Sequence, residues 1–157
     1  MSDSVLSRLE NILGQHNVNF DVLRHQPVYT SKEAAAVRGT SLASGAKALI
    51  CKASGDFVMF VMPADRRLAS KLVRQQFQLR SLRFASREEV QQLTGLAPGA
   101  IPPFGSLFNM STYCDELLAE QGQINFNAGD HAVSISMAYS DFIDVEKPTL
   151  GRISEAS

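Results

Sequence analysis

The sequence predicts an α+β fold: a single compact domain with a mixed, mostly antiparallel central sheet and short flanking helices. Three observations lead there. Two apolar runs, Lys47–Lys52 and Phe57–Met62, are separated by Ala53-Ser54-Gly55-Asp56, the pattern of a hairpin. From Val133 to Met137 apolar residues alternate with Ser134 and Ser136, as in a strand with one less apolar face. The helical stretches between strands are short and irregularly interleaved, unlike the regular alternation of a doubly wound sheet. The 157 residues, 45% hydrophobic and 20% charged, suit one globular domain that needs no disulfide or structural metal to fill its core.

Each element has a local reason. Val5, Leu6, Leu9, Ile12 and Leu13 form the apolar stripe of a helix over residues 4–16, ended by Gly14 and Asn17. Phe20 to Arg24 is a short strand candidate. Thr30 and Glu33 form a capping box, so a helix runs from there to about Arg38 and stops at Gly39. The hairpin follows, and its second strand, apolar on both faces, belongs at the centre of a covered sheet. Asp65 is placed to cap a helix that turns Leu68, Leu72 and Val73 inward. Leu82–Ala85 reads as a strand, and Ser86 with Glu89 opens a helix over Arg87–Leu93. After the loop at 95–105 come a strand near Leu107–Tyr113, a short helix at Asp115–Glu120, strands at Ile124–Asn127 and Ala132–Met137, and a helical turn at Tyr139–Val145. The domain is expected to span 1–146, with residues 147–157 as a tail that frays.

The net charge of −1 excludes a polybasic nucleic-acid binder, but it hides an asymmetry. Residues 47–87 carry nine basic side chains (Lys47, Lys52, Arg66, Arg67, Lys71, Arg74, Arg80, Arg83, Arg87) against Asp56 and Asp65. Residues 88–157 carry two basic against ten acidic. The central segment is either a local field for a polyanion or scattered surface charge. Cys51 and Cys114 lack any CxxC spacing and read as free, buried thiols in a reducing compartment. With no signal-peptide layout at the start and no apolar run long enough to span a bilayer, the expectation is a soluble, cytoplasmic protein.

HExxH, GxSxG and GxGxxG are all absent, and His16, His25 and His131 are too dispersed for a metal-site spacing. No cofactor or metal is expected. The stretch from Gly39 to Lys47 fails as a phosphate loop, because Ala46 separates Gly45 from Lys47 and Ala48 replaces the hydroxyl. The candidates that remain each have two readings. Lys47 is a snorkelling strand-edge residue or a point cation held for phosphate or carboxylate. Gly95 to Gly105, with three Gly and three Pro, is a rigid connector or an ordered loop presenting backbone groups at a pocket rim. His131 and Asn127 belong to a turn, and Tyr29 and Thr30 to a helix approach, unless they wall a pocket.

Taken in order, these residues resemble the YbaK/ProX family of aminoacyl-tRNA deacylases, which includes the editing domain inserted in bacterial prolyl-tRNA synthetases. The resemblance covers roughly residues 16–146 and rests on Gly45-Ala46-Lys47-Ala48-Leu49, on Pro63 to Leu68, on Ala85 to Glu89, on Thr94 to Gly105, on Asp115-Glu116 and on Asn127-Ala128-Gly129. It implies a trans-acting hydrolase of the ester on mischarged tRNA, foremost tRNA for proline carrying alanine or another small amino acid. Lys47 would hold a phosphate near the terminal adenosine. The loop of Gly99, Ala100, Ile101, Pro102 and Pro103 would orient the ester and water, and His131 matches a histidine of the alanine-editing domains. Tyr29, Thr30, Phe104, Asn127 and Gly129 would bind substrate. The implied partner is the aminoacyl-tRNA 3′ end, with a cognate synthetase as a candidate, and neither DNA nor a membrane. The other readings are a non-catalytic module of the same fold that binds a tRNA end or aminoacyl ligand, and a hydrolase of small free esters or amides.

Overall fold

The computed structural model describes residues 4–157. Helix α1 (Val5–Gln15), capped by the Ser4 hydroxyl, leads into strand β1 (Phe20–Arg24) and helix α2 (Ser31–Arg38). The capping box of Thr30 and Glu33 forms, and Gly39 closes α2 in the left-handed conformation at φ 70°. A short 3-10 turn at Leu42–Ser44 precedes the hairpin of β2 (Ala46–Ala53) and β3 (Asp56–Pro63). Then come β4 (Arg66–Leu68), α3 (Ser70–Gln76), β5 (Leu82–Phe84) and α4 (Arg87–Thr94), the last opened by the capping box of Ser86 and Glu89. The second half holds β6 (Thr112–Asp115), β7 (Gln123–Asn127), β8 (Val133–Ala138), α5 (Tyr139–Glu146), β9 (Thr149–Gly151) and β10 (Ser154–Ala156).

A five-stranded sheet in the order β5-β2-β3-β6-β9 forms the centre, with β3 in the middle as its two apolar faces require. It is mixed: β2 pairs antiparallel with β3 and β5, whereas β6 pairs parallel with β3 and β9. One face packs on α1, α4, α5 and an antiparallel sheet of β1-β8-β7, around Leu9, Met59, Val61, Phe104, Phe126, Ile135 and Phe142. The other face is covered by α3 and the C-terminal segment, around Cys51, Phe60, Met62, Val73 and Ile153. Both cysteines are fully buried and free, and burial pushes their thiols up to about 12. No described helix is long and apolar enough to cross a membrane.

Three expectations change. Asp65 does not cap a helix. Arg66–Leu68 instead pairs as a strand with Ser154–Ala156, and α3 starts at Ser70. The strand expected near Leu107–Tyr113 begins only at Thr112, because Gly105–Phe108 coils into a 3-10 turn that buries Leu107 and Phe108. The C-terminal tail does not fray. Thr149–Gly151 extends the central sheet, and Ile153 inserts into the second core with its N–H donating to the buried Asp115 Oδ2 at 3.3 Å. Asp115 Oδ1 accepts from Leu117 N–H at 2.8 Å, so this carboxylate, only 1% exposed, ties the tail to β6.

The two larger sheets meet at one seam. Gly45 bridges Asn125 in parallel, and Asn125 Nδ2 donates to Ser44 Oγ at 3.0 Å. A side chain at Gly45 would lie 2.9 Å from Ala64 Cβ, so this close approach requires glycine. The seam leaves a cavity on its outer side.

Candidate active site

The cavity, about 170 Å³, lies between α2, the start of β2, the end of β7 and the loop at Gly99–Ile101. Tyr29, Thr30, Lys47, Gly99, Ile101 and Asn127 all line it, although they are spread over ninety-nine positions of the chain. Its floor is made of small residues, among them Ala34, Ala46, Ala48 and Ala64, with Ser31, Ser41 and Asn125 adding polar atoms.

Lys47 is the second residue of β2, where Met62 faces it across the ladder. Its Nζ donates to the Arg66 carbonyl, which turns the ammonium along the strand edge. Burial pushes the amine below the usual lysine value, and Asp65 acts in the opposite direction. No carboxylate bonds to it among the described residues.

The proline-glycine loop is held at its carbonyls. Asn127 Nδ2 donates to Gly99 O at 2.7 Å, and Gly129 N–H donates to Ala100 O at 2.8 Å. The Ala100 N–H turns back to Ala97 O at 3.2 Å. Among the described residues the N–H groups of Gly99 and Ile101 have no hydrogen-bond partner, and both residues line the cavity. Gly99 has φ +91°, a conformation that L side chains adopt only with strain. Pro102 and Pro103 are buried behind the loop and carry no N–H, so their part is to stiffen it.

Not every expected residue faces the cavity. Phe104 is fully buried, edge-on to Phe126 at 5.8 Å and Phe142 at 5.4 Å, and belongs to the core. Ala100 is likewise buried, and Gly129 acts through its backbone bond to the loop. His131 stands behind the rim: its Nδ1 donates to Val28 O at 3.0 Å, and its ring packs at 4.8 Å on that of Tyr29. The Cβ of any residue replacing Gly99 would lie 3.4 Å from His131 Cε1, so the imidazole backs the loop. Tyr29, 71% exposed, stands at the mouth.

Arg38, at the last turn of α2, was not singled out from sequence. It lines the cavity, and its Nε donates to Ser134 Oγ at 2.8 Å and its Nη2 to Asn127 Oδ1 at 2.9 Å. Burial pushes its guanidinium down to about 10, and no carboxylate pairs with it among the described residues. His25 completes the chain, with Nδ1 on Gln26 O at 2.7 Å and Nε2 on Ser134 Oγ at 2.8 Å. Because a carbonyl only accepts, Nδ1 donates to Gln26 O, and Nε2 is left to hydrogen-bond with the Ser134 hydroxyl. The result is a network from His25 through Ser134, Arg38 and Asn127 to the Gly99 carbonyl. It contains no carboxylate. Among the described residues no three His, Cys, Asp or Glu side chains cluster as metal ligands would.

Known proteins similar to this chain share a common activity class. Residues 25–145 match the aminoacyl-tRNA editing domain. The multifunctional Ser/Thr-tRNA deacylase ProXp-y of Escherichia coli K12 is 36% identical over 149 residues, 91% of this chain and 89% of that one. The prolyl-tRNA editing protein ProX of Acetoanaerobium sticklandii is 23% identical over 92% of this chain and 89% of its own. Among solved structures, a candidate trans-editing enzyme for prolyl tRNA synthetase superposes with a TM-score of 0.83 at 22% identity, covering 99% of this chain and all of that one, a likeness of fold. The match to the editing domain over most of the chain, together with the ProXp-y likeness, shows that this protein belongs to the aminoacyl-tRNA editing family.

Proposed function

We propose that this aminoacyl-tRNA deacylase acts in trans on tRNA esterified with a small amino acid, serine or threonine first, and excludes proline by shape. The observation that carries the proposal is the Gly99–Ile101 loop, with two unpartnered N–H groups, facing Lys47 across a cavity of about 170 Å³. In this reading Lys47 and Arg38 attract the phosphate and ribose end of the substrate. The Gly99 and Ile101 N–H groups receive the carbonyl oxygen as water adds and negative charge builds there. Removing one such donor costs about 10²–10³ in rate, so a fixed loop supplies much of the acceleration without a catalytic triad. The ester is already activated, and the vicinal ribose hydroxyl can orient the water. Collapse of the tetrahedral intermediate releases the free amino acid and restores the ribose hydroxyl.

Thr30, Ser31, Ser41 and Asn125 along the cavity support a hydroxyl-bearing side chain, and the likeness to the Ser/Thr-tRNA deacylase of E. coli points the same way. Alanine on tRNA for proline is the second reading, favoured by His131 against the Gly99 loop. One methylene is worth only about 1–3 kcal/mol in an apolar pocket, so these substrates compete and proline is rejected by its ring. The test is a panel of tRNA charged with serine, threonine, alanine and proline, with free-amino-acid release followed over time. Serine and threonine are expected to be released fastest and proline not at all. Rapid release of proline would remove the shape argument, and alanine alone being released would favour the second reading. A likeness to the synthetase-borne domain, 33% identical over 106 residues in the proline–tRNA ligase of Bacillus licheniformis, supports a cognate synthetase as a working partner.

A further inference from the structure

Phe84 is 58% exposed on β5, an outer strand of the central sheet, and among the described residues no aromatic ring packs on it. Its register decides which way it faces. Phe84 pairs with Cys51, and side chains alternate along β2, so Phe84 shares a sheet face with Cys51, Leu49 and Lys47. Leu49 and Lys47 line the cavity. The exposed ring therefore lies about 13 Å along the strand direction from Lys47, at four residues of rise, on the sheet face that Lys47 and Leu49 share.

The unpaired charges of the segment around it are cations. From Arg66 to Arg87 the chain contains no acidic residue. Arg67 is neutralised by Glu155 and Arg83 by Glu89, and Arg66 is turned onto Ser154. Lys71, Arg74 and Arg80 remain exposed, on the helix that covers this face and on the turn leading into β5. Arg74 Nη2 reaches the Arg80 carbonyl at 3.4 Å, which places the Arg74 guanidinium beside the turn just before the strand that carries Phe84. Strand addition by a protein partner is poorly served by a three-residue edge among cations. A single nucleic-acid strand needs this combination: a ring for a base and cations for its phosphates.

We propose that the single-stranded 3′ end of the tRNA leaves the cavity past Leu49 and stacks a base on Phe84, with Lys71, Arg74 and Arg80 along its phosphates. The inference rests on tRNA being the substrate and adds the track it follows. The test compares full-length seryl-tRNA with seryl-adenosine, which fills the cavity and cannot reach Phe84. For Phe84→Ala, KM for the tRNA should rise about tenfold with kcat unchanged, and Phe84→Trp should restore it. Hydrolysis of seryl-adenosine should be the same in all three proteins. For Arg74→Gln with Arg80→Gln, the slope of log affinity against log salt should shrink by about 1–2. A Phe84→Ala protein whose KM for tRNA stays within twofold of the parent overturns the track, as does an unchanged salt slope. Equal losses on tRNA and seryl-adenosine also overturn it, because the ring would then act on the cavity. If the parent protein itself releases nothing from tRNA while binding it, the deacylase reading fails separately from the track.

Discussion

Replacing Gly99 with alanine separates a catalytic loop from a rigid connector. Gly99 has φ +91°, and an added Cβ would sit 3.4 Å from His131 Cε1, in contact but not in collision. Keeping an L residue in the left-handed region costs about 1–2 kcal/mol. At about 2–4 °C per kcal/mol for a chain of this size, the melting temperature should fall by about 2–8 °C. That leaves the protein folded at 25 °C, because domains of this kind hold about 5–15 kcal/mol. If the backbone relaxes to escape the strain, Gly99 O leaves Asn127 Nδ2 and the two free N–H groups lose their aim. Single-turnover release of serine from tRNA should then slow by about 10²-fold or more, with tRNA affinity unchanged. The measurement pairs that rate with a thermal melt and a binding titration. A rate within threefold of the parent would refute the reasoning, and so would a loss that vanishes when the assay is cooled below the new melting transition.

Other consequences follow from the same geometry. Lys47→Ala should lower kcat/KM about tenfold to a hundredfold, as expected for one charge-assisted contact of about 1.5–3 kcal/mol, with little change in the melt. Since burial lowers the Lys47 pKa, its charge is lost on raising pH before that of exposed lysines; KM for tRNA should therefore climb below the ordinary lysine range, and Lys47→Arg should move that limb upward. For stability the sign is opposite: the unfolded chain binds more protons between the two pKa values, so this group's contribution grows as pH rises through that window. Arg38→Met should reduce kcat/KM about tenfold, and Arg38→Lys should fail to rescue it, because one ammonium cannot reproduce the planar fork that reaches both Ser134 and Asn127. Asp115→Ala leaves the N–H groups of Leu117 and Ile153 unpaired in the core, and a loss of about 2–4 kcal/mol should appear in denaturant melts.

Local signals carried much of the architecture. The two capping boxes, the glycine that closes α2 and the hairpin turn specify their elements through neighbours within a few residues, and they appear as read. Where the partner is distant, the reading failed. Arg66–Leu68 looks like helix approach until its mate at Ser154–Ala156 is seen, and the tail looks loose until Asp115 is found beneath it. Arg38 was hidden for the same reason, since its hydrogen-bond partners lie 96 and 89 positions away. Its one sequence signal is a cation in the last turn of a helix, which suits the helix dipole equally well. Phe104 shows the reverse: an aromatic beside a loop motif suggested a pocket wall, yet the loop's apolar residues also serve the core. The nine basic residues of the central segment divide as well, because alternation along β2 turns Lys47 and Lys52 to opposite faces.

The pairing of β4 with β10 bears on when the protein becomes competent. Arg66 supplies the carbonyl that anchors Lys47, and Arg66 is itself fixed through Ser154, 88 positions downstream. Contacts closed over such a separation form late, after local hairpins and helices are in place. A growing chain on the ribosome thus possesses the cavity walls and the loop before it possesses an anchored ammonium. Hydrolytic competence should arrive as a step once residue 154 has been made and can pair, and nascent chains halted before it should be compact but slow.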